Sequence, residues 1–227
     1  VEGAGTSVVG MRIALCLRLG DWPLDPDVEQ NTMRVAESLR AAGAVVDEVT
    51  LPWSIADIWA TAQAHFATIM GAGILAVDEA HGELLSDYTR AFAHDFTHDL
   101  QFEFYEGMEH EGAIWEPLGV LFQTYDALVC PTMATSGFEA GNPYLTGGLA
   151  IGDGHVQHHI LGAMTLPFNI LSRCPVVATP SGRAFNGVPT GVQIVGHPYD
   201  DVTAFRVAAA VEATGVGFPH EQWRPAV

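Results

Sequence analysis

The sequence predicts an α/β protein built on a mixed β-sheet covered by helices, and three observations carry that prediction. A short apolar run, an amphipathic run and a second apolar run follow one another over residues 11–52, the order of a βαβ unit with parallel strands. Strand-like segments return at residues 125–130, 175–180 and 191–196. The composition, 48% apolar against 16% charged over 227 residues, provides a substantial core and excludes intrinsic disorder.

The elements follow in chain order. Residues 1–10 open Val-Glu-Gly-Ala-Gly, the composition of a flexible linker or a cut end. The run from Met11 to Leu17 is too short for a helix and reads as a buried strand. Asp25 stands at a helix N-cap with Pro26 at the first helical position. Val28, Thr32, Val35, Leu39 and Ala42 then share one helical face, and Gly43 closes the helix. Residues 44–49 form the second strand, which Pro52 stops. Residues 53–120 read as a helical insert with Trp59, Phe66 and Met70 on one apolar face. Within it, from Asp78 to Glu116, eleven carboxylates meet a single arginine, Arg90. The C-terminal region 121–227 holds three strands, those at 175–180 and 191–196 read as buried. A helix over 201–215 follows, capped by Asp200 or Asp201 and closed by Gly215. Residues 11–227 are thus expected to form a single α/β domain.

Charge removes several functions. All nine basic residues are arginines, against 27 acidic ones, for a formal charge of −18. The absence of lysine rules out a lysine base, Schiff base or phosphate clamp within these residues. So acidic a chain does not suit nucleic acid or anionic membranes, both of which need basic surface. No apolar run reaches the ~18–20 residues of a membrane span, so no membrane partner is expected. Cys16, Cys130 and Cys174 lie in apolar runs without CxxC spacing, the pattern of buried thiols in a reducing, cytoplasmic setting.

Motifs for chemistry are scarce. His94 and His98 have the i, i+4 spacing of metal ligands, and His155, His158 and His159 form a second group. Neither lies in HExxH, and His110-Glu111 lacks a second histidine four residues on. The expectation is no metal. GxSxG is missing, and Ser181 follows a proline rather than opening a helix. Without a Gly-rich phosphate loop, no cofactor is expected.

Four ordered segments change the picture: Tyr125-Asp-Ala-Leu-Val-Cys-Pro-Thr132, Thr165-Leu-Pro-Phe-Asn169, Pro175-Val-Val-Ala-Thr-Pro-Ser-Gly182 and Gly187-Val-Pro-Thr-Gly-Val-Gln-Ile-Val-Gly196. In order and spacing they resemble the C-terminal half of the amidase signature family, and the βαβ unit is similar to the segment that follows the signature region there. One departure is an extra residue between Asn169 and Pro175, with Ser172 and Arg173 where a glycine is usual.

The resemblance implies the C-terminal half of the amidase-signature fold. It further implies hydrolysis of carboxamides through a serine acyl-enzyme, with a Ser/cis-Ser/Lys triad and backbone N–H groups holding the oxyanion. Those parts belong to a Gly/Ser-rich N-terminal half. No catalytic residue is therefore assigned to this chain, and the N-terminal half carrying the triad is the expected partner. A dimer of the assembled enzyme and a small-molecule amide substrate complete that picture. Thr165 and Phe168 are the leading substrate-pocket candidates, because the matching segment faces the acyl site in the family. Pro131 and Thr132 come next, and Asn169 is assigned a structural role, its side chain tying down loop backbone. Alone, the strands would leave a sheet edge and one face uncovered. The alternative is a non-catalytic α/β subunit that binds a small molecule or a protein.

Overall fold

The computed structural model describes residues 5, 7–98 and 100–217. The βαβ unit forms as expected: β1 (Arg12–Leu15), α1 (Pro26–Ala41) and β2 (Val45–Glu48), the strands paired in parallel. Gly43, at φ +96°, turns the chain out of α1. A side chain there would also meet Val9 Cγ2 at 2.9 Å, so glycine is required twice over. Asp25 does occupy the N-cap of α1, but its carboxylate makes no capping bond. Instead it accepts the Ser136 N–H at 3.0 Å and the Gly152 N–H at 2.7 Å. Residues 1–4 and 6 of the expected linker, and 218–227 of the expected domain, lie outside the described residues. Val8, within the expected linker, is buried, and the Gly10 N–H bonds Gly43 O at 2.9 Å. That turn packs against the end of α1 rather than hanging free.

The helical insert comprises α2 (Ile55–Phe66), a π-helical turn at Ala67–Gly71, α3 (Ala72–His81), α4 (Asp87–Asp95) and α5 (Phe104–Leu121). Trp59 is buried and Phe66 partly buried, whereas Met70 is 37% exposed. The single face expected of these three is corrected by the π turn, whose wider winding shifts every later residue around the axis. The helical run Ile55–Leu84 is 30 residues long, and an 18-residue window in it has mean hydropathy 1.3. By length and composition alone that run meets the criterion for a membrane span, contrary to the reading of the sequence. A third of the window is buried within the protein, through α2 residues such as Ile58, Trp59 and Ala62.

After the insert come β3 (Ala127–Pro131), the hairpin β4 (Leu149–Ile151) and β5 (Gly154–Val156), the short helix α6 (Leu166–Ile170), β6 (Val176–Arg183), β7 (Pro189–Gly196) and α7 (Asp201–Thr214). Asp200 caps α7 by accepting the Thr203 N–H at 3.1 Å, and Gly215 closes it in the left-handed conformation. The main sheet runs β2-β1-β3-β7-β6. β1 and β3 are parallel, while β7 is antiparallel to both β3 and β6.

Both faces of this mixed sheet are covered, contrary to the uncovered face expected. Ile13, Leu15, Val129 and Ile194 pack with Val35 and Leu39 of α1 and Val207 and Val211 of α7. The alternate residues Ala14, Leu128, Cys130 and Val195 pack beneath Ile58, Trp59, Ile114 and Leu118 of the insert. This is the period-2 alternation of strands between two helical layers. β6, read as buried, is an edge strand with Val176 and Ala178 exposed. Among the described residues its second long side has no strand neighbour, which the composition of residues 175–180 cannot reveal.

Candidate functional site

The candidate site grows from the end of β3. Every residue of β3 is buried. As the chain leaves the sheet, the Thr132 N–H and hydroxyl both donate to Gly191 O, at 3.0 and 3.1 Å. A side chain on Gly191 would lie 2.9 Å from Thr132 Oγ1, so this close approach needs glycine. Thr132 O then accepts the Met164 N–H at 3.0 Å, and the Ala134 N–H donates to Gly162 O at 2.8 Å. These bonds lay residues 132–134 beside 162–164 and bring Thr165 into the same corner as Pro131 and Thr132.

One side chain underpins the corner. Gln193, on β7, is 0% exposed. Its Nε2 donates to Pro131 O at 2.9 Å and to Met164 O at 2.8 Å. Its Oε1 is buried with no partner among the described residues.

The sequence candidates divide accordingly. Pro131, Thr132 and Thr165 lie on adjoining segments joined by the Met164 N–H to Thr132 O bond, and both threonines are half-buried. Phe168 points elsewhere: on α6 it is 5% exposed and packs edge-on against Trp53, ring centroids 5.9 Å apart. Asn169 is exposed. Its main-chain N–H bonds Thr165 O at 3.1 Å, while its side chain makes no hydrogen bond among the described residues, so the backbone makes the tie expected of the carboxamide.

A second concavity joins the two histidine groups. A cavity of about 330 Å³ is lined by Trp59, Gln63, His94, His98, Tyr144 and His158, among others. His158 stacks on Trp59 at 4.8 Å, and its Nε2 lies 3.1 Å from Asp95 Oδ2. Its Nδ1 lies 3.2 Å from the Ile160 N–H. A neutral ring donating from Nε2 and accepting at Nδ1 satisfies both, which leaves neither nitrogen to serve as a base. Burial pulls His158 below the usual imidazole range, against the pull of Asp95. Burial and then the neighbouring His158 do the same to His159. The rings of His94 and His98 stack at 4.0 Å. Among the described residues, no group of three or more His, Cys, Asp or Glu side chains is placed to hold a metal ion. Sequence spacing could not pair Trp59, Gln63 and Asp95 with the 144–159 segment, because only the packing of the insert against that loop brings them together.

The family model for amidases matches residues 2–205. The chain belongs to the amidase family. The amidase-family relatives include the A subunit of glutamyl-tRNA(Gln) amidotransferase from Streptococcus sanguinis (strain SK36), 27% identical over 233 residues, covering 92% of this chain and 46% of the relative. Its counterpart in Lactococcus lactis subsp. cremoris (strain SK11) is also 27% identical, again over 92% of this chain and 46% of the relative. Among solved structures, a bacterial aryl acylamidase of the amidase signature enzymes superposes with a TM-score of 0.81 at 20% identity, over 98% of this chain and 48% of that one. At that identity the likeness speaks for the fold, which the mixed sheet and its two helical layers match. The chain spans about half the length of the amidase relatives it matches.

Proposed function

We propose that this chain is the C-terminal part of an amide hydrolase that works through a serine acyl-enzyme. In this reading it supplies sheet and substrate-pocket wall, and the Ser/cis-Ser/Lys triad lies on an N-terminal portion. The observation that carries it is an amidase-family match over residues 2–205 in a chain without a lysine, together with a motif order that resembles the family's C-terminal half. The corner of Pro131, Thr132 and Thr165 is the wall offered to the substrate, a small carboxamide. Phe168 contributes from beneath, by holding α6 against Trp53. Three buried, unpaired thiols fit a reducing, cytoplasmic setting.

The test is reconstitution. The chain is purified alone and co-expressed with the N-terminal portion of the same gene product or operon, and hydrolysis of acetanilide and of primary amides is followed. Hydrolysis by the complex alone is the expected result. Hydrolysis by the isolated 227 residues would overturn the reading, and an inactive, well-assembled complex would favour a non-catalytic binding subunit.

A further inference from the structure

We propose that Gln193 is the positioning residue that fixes the acyl-side wall of the pocket, holding Thr132 and Thr165 at a set separation. The proposal rests on the amide-hydrolase reading above. Gln193 hydrogen-bonds neither threonine. It acts through Pro131 O, one residue before Thr132, and Met164 O, one residue before Thr165.

The chemistry of the side chain explains why a glutamine stands there. One carboxamide nitrogen carries two N–H groups, and here each reaches a carbonyl from a different segment. A carboxylate has no donor, and an apolar side chain of similar length has none either. Pro131 and Met164 are buried, so loss of the amide would leave two carbonyls without these bonds. The bond between the Met164 N–H and Thr132 O, at 3.0 Å, ties the same segments from their other side. Gln193 therefore closes a brace across the corner.

What the amide provides is geometry. The Thr165 hydroxyl makes no hydrogen bond among the described residues and stays partly exposed, which leaves it available to a ligand once the brace has set its place.

The experiment uses the assembled complex of this chain with its N-terminal portion. Gln193→Met, Gln193→Glu and Gln193→Asn are compared with the unsubstituted complex on formanilide, acetanilide, butyranilide and hexananilide. The reading is the ratio of kcat/KM between long and short acyl groups, which does not depend on the fraction of active protein. A displaced wall is expected to shift this ratio by about tenfold or more in variants that retain assembly and a cooperative melt. Ratios within about twofold of the unsubstituted complex would overturn the proposal, as would failure of all three variants to assemble, which would make Gln193 a folding residue. If the unsubstituted complex hydrolyses none of the four anilides and no primary amide, the amide-hydrolase reading fails instead, and that result is distinct from unchanged ratios.

Discussion

At Cys130 the thiol has no water into which to ionise. Burial raises it well above its usual value, and Cys174 is pushed up to about 11 by the same cause. Nucleophilic sulfur is thiolate, so the three cysteines are core side chains. Ellman's reagent should label the native protein only as fast as it unfolds, and prompt stoichiometric labelling would contradict that. The burial of these residues is legible in their apolar neighbours. His158 is not legible in the same way, because its partners Trp59 and Asp95 lie more than sixty positions away and nothing in the spacing links them. Its environment has a consequence for stability. The folded state holds His158 and His159 below the usual imidazole range, so between the folded and unfolded values the unfolded chain binds more protons. Stability therefore rises with pH through that window. Lowering the pH from about 6.5, the ordinary imidazole value, should destabilise the protein until the folded imidazoles themselves titrate. Thermal melts between about pH 7 and pH 5 should show a smaller decline for His158→Gln than for the unsubstituted protein, and equal slopes would refute the assignment.

Helices and strands tell a more even story. The βαβ unit is readable because each of its signals is local: Pro26 at the start of α1, the apolar stripe of Val28, Val35 and Leu39, and Gly43 beyond its end. The π turn at Ala67–Gly71 is not, since one extra residue per turn leaves no mark in composition. The hairpin of β4 and β5 escapes because its strands are three residues each, too short for alternation to register. Motif resemblance covers Thr132, Thr165 and Gln193 alike, but not the brace that joins them, because the bonds from Gln193 to Pro131 O and Met164 O depend on packing between distant segments. Asp25 shows how an element-level signal can serve a tertiary purpose, since the helix-start residue spends its carboxylate on Ser136 and on Gly152 in the β4–β5 turn. Asp25→Ala should cost about 1–3 kcal/mol, the range for losing hydrogen bonds to a charged acceptor. Denaturant unfolding checks this, with Asp25→Asn, which keeps one acceptor, falling between. Asp200→Ala should cost about 1 kcal/mol through loss of the α7 cap, and a change near zero would show that the cap is idle.

Across the whole molecule, charge and connectivity dominate. A formal charge of −18 repels itself in the compact state, and more than half of it lies between Asp78 and Glu116. Sodium chloride screens exposed charges over about 10 Å at 0.1 M. The melting temperature should therefore rise between low salt and about 0.15 M, and a fall would mean that attractive surface pairs such as Arg12–Asp47 and Arg18–Glu29 outweigh the repulsion. Connectivity has a consequence for synthesis. β1 lies between β2 and β3 in the sheet, yet Ile13 pairs with Ala127, on the far side of the whole helical insert. During translation the βαβ unit can close early, but β1 must wait for its second neighbour until the insert has left the ribosome. Pairing over so long a loop is slow, and through that interval one side of β1 stays open to other strands. Ribosome-stalled chains ending before residue 127 should accordingly be cut by protease within 11–52, and chains released beyond residue 196 should resist.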